Sequence, residues 1–212
     1  MLKILAYAWG QLVGRYYRWT VPSTHIHVEG ERPDGPAIWV GWHATQLLGV
    51  VSYHQFGWQR SCRTFIAPGL VGAVARGYVE SGGLLATPLP TYKLNPHGAL
   101  RQMALALQEG HDVVVAVDGP SGPAGRVRPG ALWLARFTGC PIIPVGTAAS
   151  PSIRLPRWDR LVMPLPGAKV VHIFGQPIRL SRKMALEEQR LTAMQDTLNE
   201  LTQRAWARLG ST

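Results

Sequence analysis

Apolar runs of two kinds alternate along the chain. Short, largely apolar stretches fall at 24–28, 37–42, 63–67, 84–86, 113–117, 142–147 and 169–174, and only 113–117 is a β-branched run with no polar residue. Such runs read as strands, and 113–117 reads as one buried on both faces. Between them lie segments with apolar residues three and four apart, predicting helices at 44–56, 69–80, 96–109 and 131–137. Asn95-Pro96 marks one helix start and Gly110 its stop. A final helix capped by Ser181 carries Leu191, Met194, Leu198 and Leu201 on one face. The proline-rich stretch 150–167 reads as irregular. Strand–helix alternation of this kind predicts a single three-layer α/β domain over 23–212, with a mixed, mostly parallel sheet flanked by helices.

Residues 1–22 stand apart as an N-terminal amphipathic helix. At about 100° per residue, Lys3, Gln11, Arg15 and Arg18 share one side. Leu2, Leu5, Trp9, Leu12, Val13, Tyr16 and Trp19 share the other, with Ile4 out of place. Cations opposite an apolar stripe containing Trp and Tyr describe a helix lying in a bilayer interface. The alternative is a helix packed on the domain's own core.

Charge extends this picture. Lys and Arg total 22 against 12 acidic residues, a formal net charge of +10, in a chain that is 46% hydrophobic and only 16% charged. That balance suits an anionic surface, either phospholipid or an acidic carrier protein. Nucleic acid also fits the charge, but no helix-turn-helix, zinc or aromatic RNA-binding motif accompanies it, so no nucleic-acid partner is expected. No run reaches the roughly 18 apolar residues of a membrane span. The two cysteines, Cys62 and Cys140, make no metal or redox spacing and are expected to be reduced. No histidine pair has a metal-ligand spacing, so no metal is expected.

Two places carry candidate chemistry. The strand at 37–42 delivers His43 to the start of a helix, the best placed of the seven histidines at 25, 27, 43, 54, 97, 111 and 172. The strand at 113–117 ends at Asp118-Gly119-Pro120-Ser121-Gly122-Pro123, and a loop bearing Arg126 and Arg128 leads into a helix. A carboxylate at a strand's C-terminal tip beside a cationic loop is how open α/β sheets present a site; the bland role for Asp118 is a turn cap. Ser121 lacks the frame of a nucleophile elbow. Trp158-Asp159-Arg160 reads as structural, an aspartate–arginine pair pinning an irregular segment.

These stretches, with Trp42-His43, Arg128-Pro129-Gly130-Ala131, Gly139-Cys140-Pro141-Ile142-Ile143-Pro144-Val145 and Phe174-Gly175-Gln176-Pro177-Ile178, resemble the bacterial DUF374 branch of the lysophospholipid acyltransferase-like superfamily. The resemblance runs from about His27 to Ile178. It implies a glycerol-3-phosphate acyltransferase-like fold and acyl transfer from acyl-CoA or acyl-ACP, as co-substrate, to a lipid hydroxyl or amine. No bound cofactor is implied, and the place of work is the cytoplasmic face of the inner membrane. The superfamily's general base, in a His-x4-Asp motif, is matched by His43, and its acceptor-binding block by Asp118-Gly119. Gly119, Ser121, Arg126, Arg128 and Lys93 are then the substrate-binding candidates, with Tyr92 or Arg76 as possible stand-ins for arginines absent from Ala67-Pro68-Gly69 and Thr87-Pro88-Leu89-Pro90. Leu48 occupies the motif's aspartate position, which leaves Asp118 as the candidate to hold the imidazole. The second functional class consistent with these departures is a lipid-binding relative without catalysis.

Overall fold

The structure, a computed structural model, describes residues 1–21, 23–56, 60–89, 96–119, 121–183 and 187–210. Seven strands form one sheet: β1 (Ser23–Val28), β2 (Ile38–Gly41), β3 (Cys62–Ile66), β4 (Leu85–Pro88), β5 (Asp112–Ala116), β6 (Ile142–Arg154) and β7 (Val162–Phe174). Their order is β1-β7-β6-β2-β5-β3-β4. Every pairing is parallel except β6 with β7. Strands β2 to β6 therefore all end at the same edge of the sheet, and the β6–β7 turn lies there too. That shared edge positions the site.

Period-two side-chain alternation sends neighbouring residues to opposite faces. Ile38, Val40, Trp42, Val113 and Ile142 pack under α4 (Pro96–Gln108), α5 (Gly130–Thr138) and α6 (Glu188–Gly210). On the other face Leu48, Val51, Cys62, Tyr78 and Val170 form a second cluster beneath α1 (Leu2–Thr20), α2 (Gln46–Ser52) and α3 (Leu70–Ser81). The three-layer α/β domain expected from the sequence is the fold observed.

Three local expectations are corrected. Residues 44–56 form a short α2 between two 3₁₀ turns, His43–Thr45 and Tyr53–Gln55. The segment 150–167 continues the β6–β7 ladder instead of leaving the sheet. Its prolines fall at a register break, where β6 advances from Ser150 to Ser152 while β7 runs from Lys169 back to Pro164. A bulge tolerates proline and re-aims the strands beyond it, which is why the composition reads as a loop. Finally, Ser181 Oγ accepts the Lys183 backbone N–H (3.3 Å), but α6 begins at Glu188. Its anticipated face is nonetheless the buried one, with Met194, Leu198 and Leu201 in the core and Leu191 against it.

Helix α1 packs on the domain, as the second of its two readings expects, and leaves most of its large apolar side chains outside. Gly10 and Gly14 face α3, where a Cβ on Gly10 would lie 2.0 Å from the Val74 carbonyl oxygen. On α3, Gly77 meets the Tyr7 carbonyl equally closely. Small residues let the two backbones touch, and of the large side chains of α1 Tyr17 and Val13 pack inward, Tyr17 edge-on to Tyr78 of α3. Leu2, Leu5, Trp9, Leu12, Tyr16 and Trp19 remain exposed.

His172, fully buried on β7, gives the fold a pH dependence. Its Nδ1 lies 3.0 Å from Thr147 Oγ1, and burial pushes its pKa down to about 3 from 6.5. The unfolded chain takes up this proton at higher pH than the folded one. Its contribution is therefore complete above pH 6.5 and is lost as pH falls toward 3, at up to about 1.4 kcal/mol per pH unit. Asp112, whose pKa burial raises, acts with the opposite sign. Denaturant unfolding across this range is expected to show a shallower loss of stability below pH 6.5 for His172→Gln than for the native chain. Asp112 is common to both chains and cancels.

Candidate active site

The site is built where β2 and β5, paired side by side, reach the common edge. The chain leaves β2 at Gly41 and turns into a 3₁₀ helix whose first residue is His43. Asp118, two residues beyond β5, is buried, and its Oδ1 accepts the His43 backbone N–H at 2.9 Å. Its Oδ2 accepts from the Gly125 N–H at 3.4 Å. Asp118 thus ties the end of β2 to the glycine-rich loop, and it reaches His43 through the backbone. The expectation that it holds the imidazole is corrected on this point.

The imidazole is held from elsewhere. Asp159, in the turn between β6 and β7, places Oδ2 2.9 Å from His43 Nδ1. The carboxylate is completely buried, and its Oδ1 has no hydrogen-bond partner among the described residues. Arg157 Nη2 lies 3.3 Å from the same Oδ2. An ionised carboxylate can only accept, so Nδ1 carries the proton and Nε2 presents a lone pair. The imidazole keeps 17% of its surface exposed, enough for a reactant to reach it. Gln46 Nε2 lies within 3.3 Å of both ring nitrogens and so in line with neither. The Trp158 ring packs at 5.0 Å from the imidazole, tilted by 54°.

The sequence reading of Trp158-Asp159-Arg160 as a structural aspartate–arginine pair pinning an irregular segment gave too little to Asp159. Its arginine partner is Arg157, not Arg160, and its second partner is His43. No spacing rule links residues that far apart; the only sequence signal was an acid at the turn of a strand pair hidden by prolines.

The remaining candidates divide. Gly119 adopts φ +70°, and a Cβ there would press on the Arg128 side chain. Arg128 is itself committed to the loop: its guanidinium donates to the Gly122 carbonyl and its backbone N–H to Val117 O. Arg126 is exposed, 3.9 Å from an equally exposed Glu188. Ser121 is exposed on the same loop. Lys93 and Tyr92 lie outside the described residues. Arg76 pairs with Glu80 at 2.8 Å. It also borders an apolar groove of about 500 Å³ that the sequence reading did not anticipate. Ile66 at the end of β3, Ala67 and Pro68 after it, Ala86 and Pro88 of β4, and Ile4 and Tyr7 of α1 line that groove. It opens at the same sheet edge, two strands from β2, a lateral offset of about 10 Å.

The fold has a solved counterpart. The crystal structure of the 1-acyl-sn-glycerophosphate (LPA) acyltransferase PlsC from Thermotoga maritima superposes with a TM-score of 0.54, covering 99% of this chain and 80% of that one at 21% identity. The chain has that acyltransferase's fold. An uncharacterised protein of Rickettsia prowazekii is 31% identical over 143 residues, 68% of this chain. The match spans 64% of that relative's length. No family model matches the chain.

Proposed function

We propose that the protein is a membrane-associated acyltransferase that moves a fatty acyl group from a thioester to a lysophospholipid-like or other lipid acceptor. One observation carries the reading: on an acyltransferase fold, His43 stands at the sheet's C-terminal edge with Nδ1 2.9 Å from a buried carboxylate, a partner that selects the tautomer with a bare Nε2. That is the state a general base needs. Nε2 takes the proton from the acceptor hydroxyl or amine as that atom attacks the thioester carbonyl carbon. The tetrahedral intermediate collapses, the carbon–sulfur bond breaks, and the departing thiolate recovers the proton from the imidazolium. The products are the acylated lipid and free thiol.

Other features support the substrate class. The apolar groove beside the site matches a hydrocarbon chain better than a polar ligand, because carbon atoms dominate its lining. Arg126 and Arg128 border the same edge and suit a phosphate on the acceptor, coenzyme A or acyl carrier protein. No described helix is long and apolar enough to cross a membrane. The exposed apolar face of α1, with Leu5, Trp9 and Leu12 and with Arg15 at its margin, instead suits peripheral attachment to anionic lipid at the cytoplasmic face. The sequence resemblance to the DUF374 branch of the superfamily agrees with this reading, and the acceptor, the donor carrier and the role of His43 are parts of it. A lipid-binding relative without catalysis fits less well, since the carboxylate missing at Leu48 is supplied by Asp159.

Labelled acyl-ACP and acyl-CoA incubated with a bacterial lysolipid extract are expected to yield an acylated product identified by mass. His43→Ala is expected to lower the rate by about 10²–10⁴-fold with its folding intact. Equal product from both chains would remove His43 as base. Leu5→Glu combined with Leu12→Glu is expected to weaken co-sedimentation with anionic vesicles by at least about tenfold, since each leucine contributes roughly 1.5–3 kcal/mol when buried. Unchanged sedimentation would place the membrane contact elsewhere.

A further inference from the structure

We infer that Asp159 is the positioning carboxylate of this active site, supplied by the β6–β7 turn and not by the residues that follow the histidine. The inference deepens the proposed acyl transfer and rests on His43 being its base.

Four observations carry it. Leu48, where a locally encoded carboxylate would stand, is fully buried in the core beneath α1 and α3, so no acid next to the histidine in sequence serves it. Asp118, the nearest acid by topology, has each oxygen on a backbone N–H. Asp159 meets the ring itself at 2.9 Å, in line with the one nitrogen that must be protonated for the other to act as base. Finally, Asp159 is buried in a way that a structural ion pair does not explain. Arg157 lies two residues away and is about half exposed, so the two could pair at the surface without burying the acid. Burial instead leaves Oδ1 without a partner among the described residues, a cost that native interiors seldom carry without a use.

The turn is built to hold this residue still. Leu155 N–H donates to Leu161 O (3.0 Å) across its base, and Arg160 N–H donates to Arg157 O (3.1 Å) inside it. Arg160 has φ +51°, uncommon for a side chain of that size, and this left-handed residue reverses the chain directly after Asp159. On the opposite side, the Trp158 ring fits against Gly122, where a Cβ would lie 2.6 Å from Cε3. The turn is thus wedged between His43 and the loop that follows Asp118. Its carboxylate fixes both the tautomer and the rotation of the imidazole, and it balances the positive charge formed when Nε2 accepts the acceptor's proton.

The test uses the full chain in mixed micelles, with acyl-CoA as donor and the lysolipid extract as acceptor. Asparagine keeps the size of Asp159 but can donate as well as accept, so it no longer enforces an unprotonated Nε2. Asp159→Asn is expected to lower kcat by about 100-fold or more while KM stays within about threefold. Asp159→Glu is expected to recover part of the lost kcat. If Asp159→Asn keeps kcat within about threefold of the native chain while His43→Ala is inactive, the inference is overturned and the acyltransferase reading stands. If His43→Ala transfers acyl groups normally, both fall together. Should Asp159→Asn not fold, ¹⁵N-histidine NMR of the native protein decides the matter. A His43 ring with protonated Nδ1 and bare Nε2 supports the inference, and one protonated mainly at Nε2 overturns it.

Discussion

His43 and Asp159 lie 116 residues apart in the chain and 2.9 Å apart in space, and closing that gap sets demands on the whole sheet. Strand β2 must run parallel to β5 and β6 so that His43, Asp118 and the β6–β7 turn emerge at one edge. The β6–β7 ladder breaks register at Ser150–Ser152 before it reaches the turn that carries Asp159. Helix α6 presses on the straight half of the ladder, where Gly146 admits the α6 backbone at Leu201 so closely that a Cβ would lie 2.2 Å from it. Asp118 fixes the histidine's backbone while Asp159 fixes its ring. Two acids thus divide what a single local motif does in the superfamily that the sequence resembles.

Sequence reading reached the parts of this architecture governed by local rules. The β-branched runs around Val113–Val115 and Ile142–Ile143 could only be strands, and the spacing of Met194, Leu198 and Leu201 could only be a helix face. His43 stood out because a strand end followed by a helix is a small target. The β6–β7 turn was hidden because prolines 151, 164 and 166 imitate a loop, and a register break is a property of two strands together. The partner of the imidazole was hidden for the same reason. Asp118 follows a strand end and Asp159 lies in a turn between two strands, and only the three-dimensional fold decides which of them meets a ring and which a backbone.

The N-terminal helix packs on the domain without using up its apolar face. Its large apolar residues suggested either burial or membrane contact, and the glycines at 10 and 14 allow packing on α3 while most of those residues stay outside. The same close approach brings Ile4 and Tyr7 to the wall of the apolar groove. One element therefore joins the exposed face proposed to meet lipid, the groove proposed to take a hydrocarbon chain, and the edge at which His43 stands. The net charge of +10 supports the first of these, since the attraction of cations to an anionic surface does not depend on a particular fold.

The most direct test of the account is where the donor binds. A pantetheine thioester of a fatty acid bearing a diazirine at the chain terminus carries the part common to acyl-CoA and acyl-ACP. After irradiation, the label can be mapped to peptides by mass spectrometry. The account predicts label on residues 66–73 or 3–7, which line the groove next to the His43 edge. Label confined to the far edge of the sheet, in the small cavity between Trp39 and Phe174, would contradict it.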